Sequence, residues 1–290
     1  MMKIKRILGL ALSGVLAIES FTACSTAKNS DIISVVTREE GSGTRGSFVE
    51  LTGVETKYAN GNKVDDTTVD AISVNSTAIV MTTVAGNKKA IGYISLGSLN
   101  DMVKAIQIDG AAPNPENIKN GSYTLVRPFY VVTKHDLSKP AQEFMNFILS
   151  DIGQEVVVGK GYMKVDNTRD FIPSDVGGKV IIAGSSSVTP VMQKLQETYQ
   201  KINPKVKIEI QESDSTTGIN STADETCDIG MISRELKEKE IRQGLTATVI
   251  AIDGIVVIVH KDNEITNLSM NQLKNIFTGD VTRWSEVNRG

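Results

Sequence analysis

The chain has 290 residues, of which 40% are hydrophobic and 22% are charged, and its formal net charge is −3. This composition is typical of one large folded domain or two smaller lobes. It excludes a disordered chain, a collagen-like repeat and a polytopic membrane protein. The slight acidic excess argues against nucleic-acid binding, and two cysteines with two histidines are too few for a disulfide framework or a Cys/His zinc site.

The start of the chain has the pattern of an export signal. Three basic side chains within the first six residues precede the apolar run 7–18, which is too short to span a bilayer as a helix. Residues 21–24, Phe-Thr-Ala-Cys, resemble the cleavage site of bacterial lipoproteins. We therefore predict a signal peptide at 1–23, lipidation of Cys24 and a polar tether at 24–30, which together place the protein outside the cytoplasm, anchored to the membrane. A plain signal peptide followed by a chance cysteine is the alternative.

Beyond the tether, strand-like and helix-like segments alternate along the chain. This alternation predicts an α/β architecture with largely parallel sheets. The polar stretch 166–179, which contains proline and glycine, predicts a linker. Strands are predicted at 32–37, 90–95, 129–133, 179–183, 206–211 and 249–259. Helices are predicted at 142–150, 190–202 and 269–277.

Four polar turns carry the functional signal, and each follows a strand-like segment. Glycines allow a ligand to approach the backbone, helix N-termini present N–H groups, and hydroxyl and guanidinium groups donate hydrogen bonds to oxyanions. Each turn alone could be a helix cap or an exposed polar loop, but four together favour anion binding. They are Arg-Glu-Glu-Gly-Ser-Gly-Thr-Arg at 38–45, Gly-Ser-Ser-Ser-Val-Thr-Pro at 184–190, Ser-Asp-Ser-Thr-Thr-Gly at 213–218 and Asp-Ile-Gly-Met-Ile-Ser-Arg-Glu at 228–235.

The sequence lacks the patterns expected of an enzyme. No lysine follows the glycines in a Walker pattern, and no serine lies in a nucleophile-elbow context. The two histidines, His135 and His260, are far apart in sequence, and we expect them to be structural. We therefore predict a binding protein with no cofactor and no metal.

Taken together, the motifs resemble one family, the phosphate-binding proteins of the bacterial ABC phosphate-uptake (Pst) system. The resemblance covers about 31–165 and 179–290. It implies a type II periplasmic-binding-protein fold with two α/β lobes, a ligand cleft and a two-strand hinge, and it implies capture of inorganic phosphate for an ABC permease. A phosphate sensor or surface interaction protein with no transport role is the alternative. The motifs are GSSSVTP, SDSTTGI, DIGMISREL, IAIDGIVVIV, REEGSGTR, GYISLG, RPFYVVTK and LSMNQLKNIFTGDVTRWSEV.

The two halves of the chain stand in exchanged order relative to this family, in which the GSSS turn comes first. The order resembles a circular permutation joined through the linker 166–179. It predicts one lobe at 105–250, containing the linker, and a discontinuous second lobe at 31–104 plus 251–290. We favour a monomer in which one chain forms both lobes. A domain-swapped dimer, or a rearranged fragment that needs a second chain, is the alternative.

The resemblance also carries the family's phosphate contacts onto this sequence. Some family members have an aspartate at the position of Ser233, which accepts the proton of monobasic phosphate. Because that aspartate is absent here, Glu40 and Asp253 are the candidate proton acceptors. The implied phosphate contacts are Ser186, Ser187, Ser215, Ser233, Arg234, Arg38, Ser42, Gly43 and Thr44.

Overall fold

The computed structural model describes residues 31–134, 136–166 and 168–289. The predicted signal peptide, the tether with Cys24, and His135 lie outside the described residues. Within the described ranges, none of the helices combines the length and apolar character needed to cross a bilayer.

The described residues form thirteen β-strands and nine α-helices. The strands are β1 (Ser34–Arg38), β2 (Glu55–Lys57), β3 (Lys63–Asp65), β4 (Ile72–Val74), β5 (Ala90–Ser95), β6 (Lys104–Ala105), β7 (Gln107–Ile108), β8 (Val126–Thr133), β9 (Gly178–Ser185), β10 (Val206–Ser213), β11 (Ile229–Ile232), β12 (Thr246–Val259) and β13 (Asn267–Leu268). The helices are α1 (Gly43–Thr52), α2 (Thr77–Ala85), α3 (Pro115–Lys119), α4 (Lys139–Ile148), α5 (Asp151–Gly159), α6 (Thr189–Ile202), α7 (Ser215–Ala223), α8 (Glu238–Ile241) and α9 (Met270–Thr278).

The strands and helices predicted from the sequence are confirmed, with boundaries that differ by a few residues. Local chemistry explains several ends. Helix α6 has a proline in its first turn, where the missing N–H costs nothing. Helix α9 begins with a capping box, in which the Ser269 side chain accepts from Gln272 N and the Gln272 side chain accepts from Ser269 N.

One sheet of nine strands organises the molecule. Its order is β10-β9-β11-β8-β12-β5-β1-β4, with β6 paired to β12. The prediction of largely parallel sheets holds for the two ends, where β9 pairs parallel with β10 and β11, and β1 pairs parallel with β4 and β5. It is wrong in the middle, because β8 and β12 are antiparallel to each other and to their outer neighbours.

The long strand β12 changes partner along its length. Its residues up to Gly254 pair with β8, and its residues from Ile255 onward pair with β5. Strands β8 and β12 therefore lie between the two parallel ends of the sheet, which fits the two-strand hinge that the resemblance implies.

Two large hydrophobic cores lie on either side of this change. The first core contains Phe129, Val131 and Ala251 together with α4, α5 and α6 residues. The second core contains Phe48 and Ile255 together with β1, β5 and α9 residues. Residues 106–125, which the predicted division placed in the lobe 105–250, contribute buried side chains to the second core. The lobe division stays a prediction, and the packing favours a boundary near 126 in place of 104/105.

The predicted linker 166–179 packs on the first core. The ring of Phe171 lies 5.3 Å from that of Phe147 in an edge-on arrangement. Asn203 Nδ2 donates to Val176 O at 3.0 Å, and Glu143 accepts hydrogen bonds from the backbone and hydroxyl of Ser174. The connection between α5 and β9 is thus held by specific contacts.

Candidate functional site

Five strands end at one place between the two cores. β1 and β4 come from one end of the sheet, and β9, β10 and β11 from the other. Each is followed by a polar turn, and helices α1, α2, α6 and α7 begin at four of these turns. Carboxyl ends of strands and positive ends of helices therefore meet at one site, which is the usual position of a ligand in α/β sheets.

Six buried side-chain hydroxyls gather at this site, and we call them the hydroxyl cluster; a seventh, that of Ser185 at the end of β9, donates to Ser233 Oγ at 3.1 Å. The Thr44 and Ser187 hydroxyls lie 2.6 Å apart, and Thr77 Oγ1 lies 3.2 Å from Ser187 Oγ. Ser215 Oγ lies 3.3 Å from Ser233 Oγ, which is 3.5 Å from Thr44 Oγ1. The contacts join residues from both ends of the sheet. The members are Thr44, Thr77, Ser186, Ser187, Ser215 and Ser233, all buried.

Ordinary helix capping does not account for the serines of the cluster. The N-cap of α6 is Val188, which makes no side-chain cap, so Ser186 and Ser187 are not the cap residues. The cap of α7 is Asp214, and the Ser215 hydroxyl instead accepts from Ser233 N at 3.1 Å. Of the predicted contacts, Ser42 is the one that caps its helix, by accepting from Arg45 N.

Arg38 supplies positive charge beside the cluster. Its guanidinium is 2% exposed, and Nη1 lies 3.4 Å from Thr77 Oγ1. Its Nε and Nη2 donate to the Glu39 carboxylate at 2.8 and 2.7 Å. The guanidinium thus turns one edge to Glu39 and the other to the hydroxyls. Tyr93 contacts the backbone of the same residue, since Arg38 N donates to Tyr93 Oη at 3.3 Å.

Gly43 brings the backbone of α1 against the opposite side of the site. A β-carbon there would lie 2.8 Å from Ser233 Oγ and closer still to Ser215 Oγ. A side chain at this position would fill the space between the hydroxyls, so the glycine is required by close approach.

The structure does not place every predicted residue in the cluster. Both Nη atoms of Arg234 lie 2.9 Å from the Glu240 carboxylate, and Nη1 also donates to Glu235 O at 2.8 Å. Its nearest approach to the other turns is 3.4 Å, from Nη2 to Thr216 Oγ1. Glu40, a candidate proton acceptor, is exposed. The carboxylate that pairs with Arg38 is its neighbour Glu39.

Asp253, the other candidate acceptor, is fully buried in an ion pair. Its Oδ2 accepts from Nε and Nη2 of Arg127 at 3.2 and 3.1 Å. Its Oδ1 accepts from Ser95 Oγ at 2.8 Å and Leu96 N at 3.1 Å. Burial raises the pKa of Asp253 to about 6, against the opposing effect of Arg127 and the hydrogen bonds. Arg127 Nη1 also donates to Ser233 O at 3.1 Å, so the pair reaches the cluster through the backbone.

Sequence reasoning missed Thr77 and Arg127. Thr77 opens α2 after β4 in the run Asn-Ser-Thr at 75–77, the same strand–turn–helix pattern as three of the four predicted turns. Arg127 and Asp253 are charges within apolar strands, and such charges are buried only when paired. Both signals were present in the sequence.

The site is suited to a small anion with several acceptor oxygens. Hydroxyls, a guanidinium edge and helix N-termini converge from opposite sides. In the described part of the chain, no aspartate or glutamate side chain is hydrogen-bonded to the hydroxyl cluster, whose partners are other hydroxyls, Arg38 and backbone groups. A tetrahedral oxyanion would meet donors on every side.

The model of the PBP superfamily domain matches residues 20–151 and 172–290, which defines the class of protein. The phosphate-binding protein PstS 2 of Streptococcus agalactiae is 50% identical over 293 residues, covering all of both chains. PstS 2 of Streptococcus pneumoniae is 41% identical, covering 99% of this chain and all of its own. The chain belongs to the PstS family of phosphate-binding proteins.

A solved structure supports the same fold. The crystal structure of a phosphate-binding protein of a phosphate ABC transporter from Streptococcus pneumoniae has a TM-score of 0.69 and 43% identity. It covers 89% of this chain and 100% of that chain. The resemblance and the type II fold class stated from the motifs are thereby confirmed. The family is one of substrate-binding proteins, not enzymes.

Proposed function

We propose that this protein is an extracytoplasmic solute-binding protein that captures inorganic phosphate between two lobes and delivers it to an ABC permease. The observation that carries the proposal is the hydroxyl cluster, in which six buried hydroxyls from opposite ends of one sheet surround a site beside Arg38. The names of the relatives support phosphate as the ligand and an ABC transporter as the partner.

Local donors, and not the overall charge, hold the ligand in this proposal. Removal of the predicted signal peptide leaves a chain of net charge −5, so long-range attraction of an anion is weak. Each hydrogen bond to a charged ligand contributes about 1.5–3 kcal/mol net. Several of them offset desolvation of the anion and closure of the lobes and leave about −8 kcal/mol, a micromolar Kd.

Eight of the nine predicted contacts remain in the proposed phosphate site. Arg234 leaves the set because Glu240 holds its guanidinium, and Thr77 joins it. A cluster hydroxyl, rather than Glu40 or Asp253, accepts the hydrogen bond that the O–H of monobasic phosphate donates, since a hydroxyl donates and accepts at once. The proposed contacts are Arg38, Ser42, Gly43, Thr44, Thr77, Ser186, Ser187, Ser215 and Ser233.

One chain forms both lobes in this proposal, and the protein is a monomer anchored by a lipid at Cys24. The packing of the linker on the first core supports a connection within one molecule. The end-to-end alignments with the streptococcal relatives support the order of the two halves as a shared feature. Phosphate contacts both halves and shifts the open–closed equilibrium toward the closed form, which then docks on the permease.

Calorimetric titration of the purified protein with phosphate tests the proposal. We expect saturable binding of about one phosphate per chain that persists in excess sulfate. Ser187→Ala should weaken it by about tenfold, because it removes one hydrogen bond to a charged ligand. Ser122→Ala, at an exposed hydroxyl outside the site, is the matched control and should bind like the wild type. Folded protein that gives no heat with phosphate would contradict the function, and displacement by sulfate would contradict its selectivity.

A further inference from the structure

The turn that precedes α1 touches the turn that opens α7 outside the hydroxyl cluster. Gly41 O accepts two hydrogen bonds from Thr216, one from the backbone N–H at 3.2 Å and one from Oγ1 at 3.1 Å. We call this contact, together with the adjacent side chain of Asp214, the rim contact. It uses no residue that the proposed phosphate site uses.

The two sides of the rim contact belong to different cores. Gly41 lies between β1 and α1, and side chains of both pack in the second core, among them Val35 and Phe48. Thr216 lies in α7, whose Ile219 packs with Val132, Ile232 and Leu245 near the opposite end of the sheet. Hinge motion at β8 and β12 would therefore break or make this contact.

Gly41 is a glycine for reasons of space and not of conformation. Its φ angle is not positive, so any residue could adopt its backbone conformation. A β-carbon at Gly41 would lie 2.7 Å from Asp214 Cγ and closer still to Oδ1, and the nearest atoms all belong to Asp214. An alanine would therefore collide with Asp214 of the facing segment.

Asp214 is not free to move aside. It is the N-cap of α7, with Oδ1 accepting from Thr217 N at 2.9 Å and Oδ2 accepting from Thr217 Oγ1 at 2.7 Å. Rotating the carboxylate away from Gly41 would give up both bonds and with them the N-cap of α7.

Arg234 supports the same contact from the other direction. Its Nη2 lies 3.4 Å from Thr216 Oγ1, and Glu240 fixes the guanidinium with two 2.9 Å contacts. The arginine that the resemblance placed on the ligand thus lies behind the residue that bonds to Gly41.

We propose that the rim contact is a closure latch, in which Gly41 is the residue that lets the two lobes meet and thereby sets how long a bound phosphate is retained. The inference rests on the proposed phosphate-binding function. In the open form the two turns separate, so a side chain at Gly41 affects closure and neither folding nor initial binding. Ligand is held by the closed state, so the latch acts on the dissociation rate.

The test is Gly41→Ala, measured by rapid-mixing kinetics of phosphate binding and by thermal melting without phosphate. We expect the dissociation rate and the Kd to rise by about ten- to a hundredfold, the effect of overpacking a tight contact. The association rate and the melting temperature of the phosphate-free protein should match those of the wild type. A melting temperature lowered without phosphate would overturn the proposal, because the collision would then exist before closure.

Two further variants isolate the collision. Gly46→Ala is the matched control, since its β-carbon meets only Arg234 Cδ at 3.8 Å, an ordinary contact, and it should bind like the wild type. Asp214→Gly removes the colliding carboxylate and leaves a tolerable N-cap, so Gly41→Ala combined with Asp214→Gly should recover most of the lost affinity.

The outcomes separate the latch from the function. Wild-type protein that binds no phosphate contradicts the proposed function. Wild-type protein that binds phosphate while Gly41→Ala dissociates at the same rate contradicts the latch alone. Weakened binding by Gly41→Ala with no recovery in the double variant also overturns the latch, because the collision with Asp214 is then not the cause.

Discussion

Two buried polar regions of this molecule, the hydroxyl cluster and the Arg127–Asp253 pair, satisfy their hydrogen bonds in different ways. In the cluster, neutral oxygens 2.6 to 3.5 Å apart bond mainly to one another. In the pair, each carboxylate oxygen of Asp253 accepts two donors. A hydroxyl both donates and accepts, so a hydrogen bond between two hydroxyls can be replaced by hydrogen bonds to a ligand. The Asp253 carboxylate is already fully hydrogen-bonded to fixed partners and is not available to a ligand. The first region is suited to binding and the second to holding β8 against β12.

The two regions are connected at one backbone atom. Ser233 O accepts from Arg127 Nη1 and from Ser47 Oγ, both at 3.1 Å. The Arg127–Asp253 pair therefore positions the turn that carries Ser233, although neither side chain contacts the hydroxyls. Breaking the pair should disturb stability first and binding second.

The largest expected effect is that of Arg127→Met. The substitution leaves the Asp253 carboxylate buried without its cation, and breaking a buried pair from one side costs about 3–5 kcal/mol. Urea unfolding should show this loss in the free energy of unfolding. Arg242→Met, at an ion pair exposed on both sides, is the control and should change the value by less than about 1 kcal/mol. Equal effects of the two substitutions would mean that the Arg127–Asp253 pair does not stabilise the folded protein.

A smaller effect should appear in the pH dependence of stability. The pKa of Asp253 is about 6 in the folded protein, above the value of about 3.9 in an unfolded chain. The folded state therefore binds this proton more tightly. The resulting stability is fully present below about pH 4 and is lost as the pH rises through about 6.

Comparison of the wild type with Asp253→Asn isolates this titration, since the other groups are common to both proteins. The free energy of unfolding of the wild type minus that of the variant should fall by about 2 kcal/mol between pH 4 and pH 7. Urea unfolding at several pH values measures it. A difference that rises with pH would show that Arg127 lowers the pKa of Asp253 more than burial raises it.

The sequence predicted the elements and turns well because these depend on neighbours along the chain. The run 249–259 is apolar except for Asp253 and Gly254, and it lies within the buried strand β12. The serines at 186, 187 and 215 follow strands, which was enough to place them at one edge of a sheet. Such features require only local periodicity and the common geometry of α/β folds.

What the sequence could not show was which segments become neighbours and where long side chains point. Thr77 enters the site because β4 pairs with β1, and β4 has three residues with Ile72 exposed, a weak strand pattern. The antiparallel pairing of Arg127 with Asp253 joins positions 126 residues apart. The partner of a long side chain depends on the folded geometry around it. Arg38, for example, pairs with Glu39 and not with Glu40.

The smallest expected effect, that of Arg234→Ala, separates the family's pattern from the geometry of this chain. Arg38→Ala removes the cation beside the cluster and should raise the Kd for phosphate by about a hundredfold. If Arg234 contacted phosphate directly, Arg234→Ala would raise the Kd by as much. The guanidinium of Arg234 is bound to Glu240 and to Glu235 O, and it lies 3.4 Å from Thr216 Oγ1, so Arg234→Ala should raise the Kd by less than about tenfold. That rise should lie in the dissociation rate, because Arg234 backs the rim contact. Equal losses for the two arginines, measured by phosphate calorimetry, would return Arg234 to the phosphate site and require its guanidinium to leave Glu240 when the ligand binds.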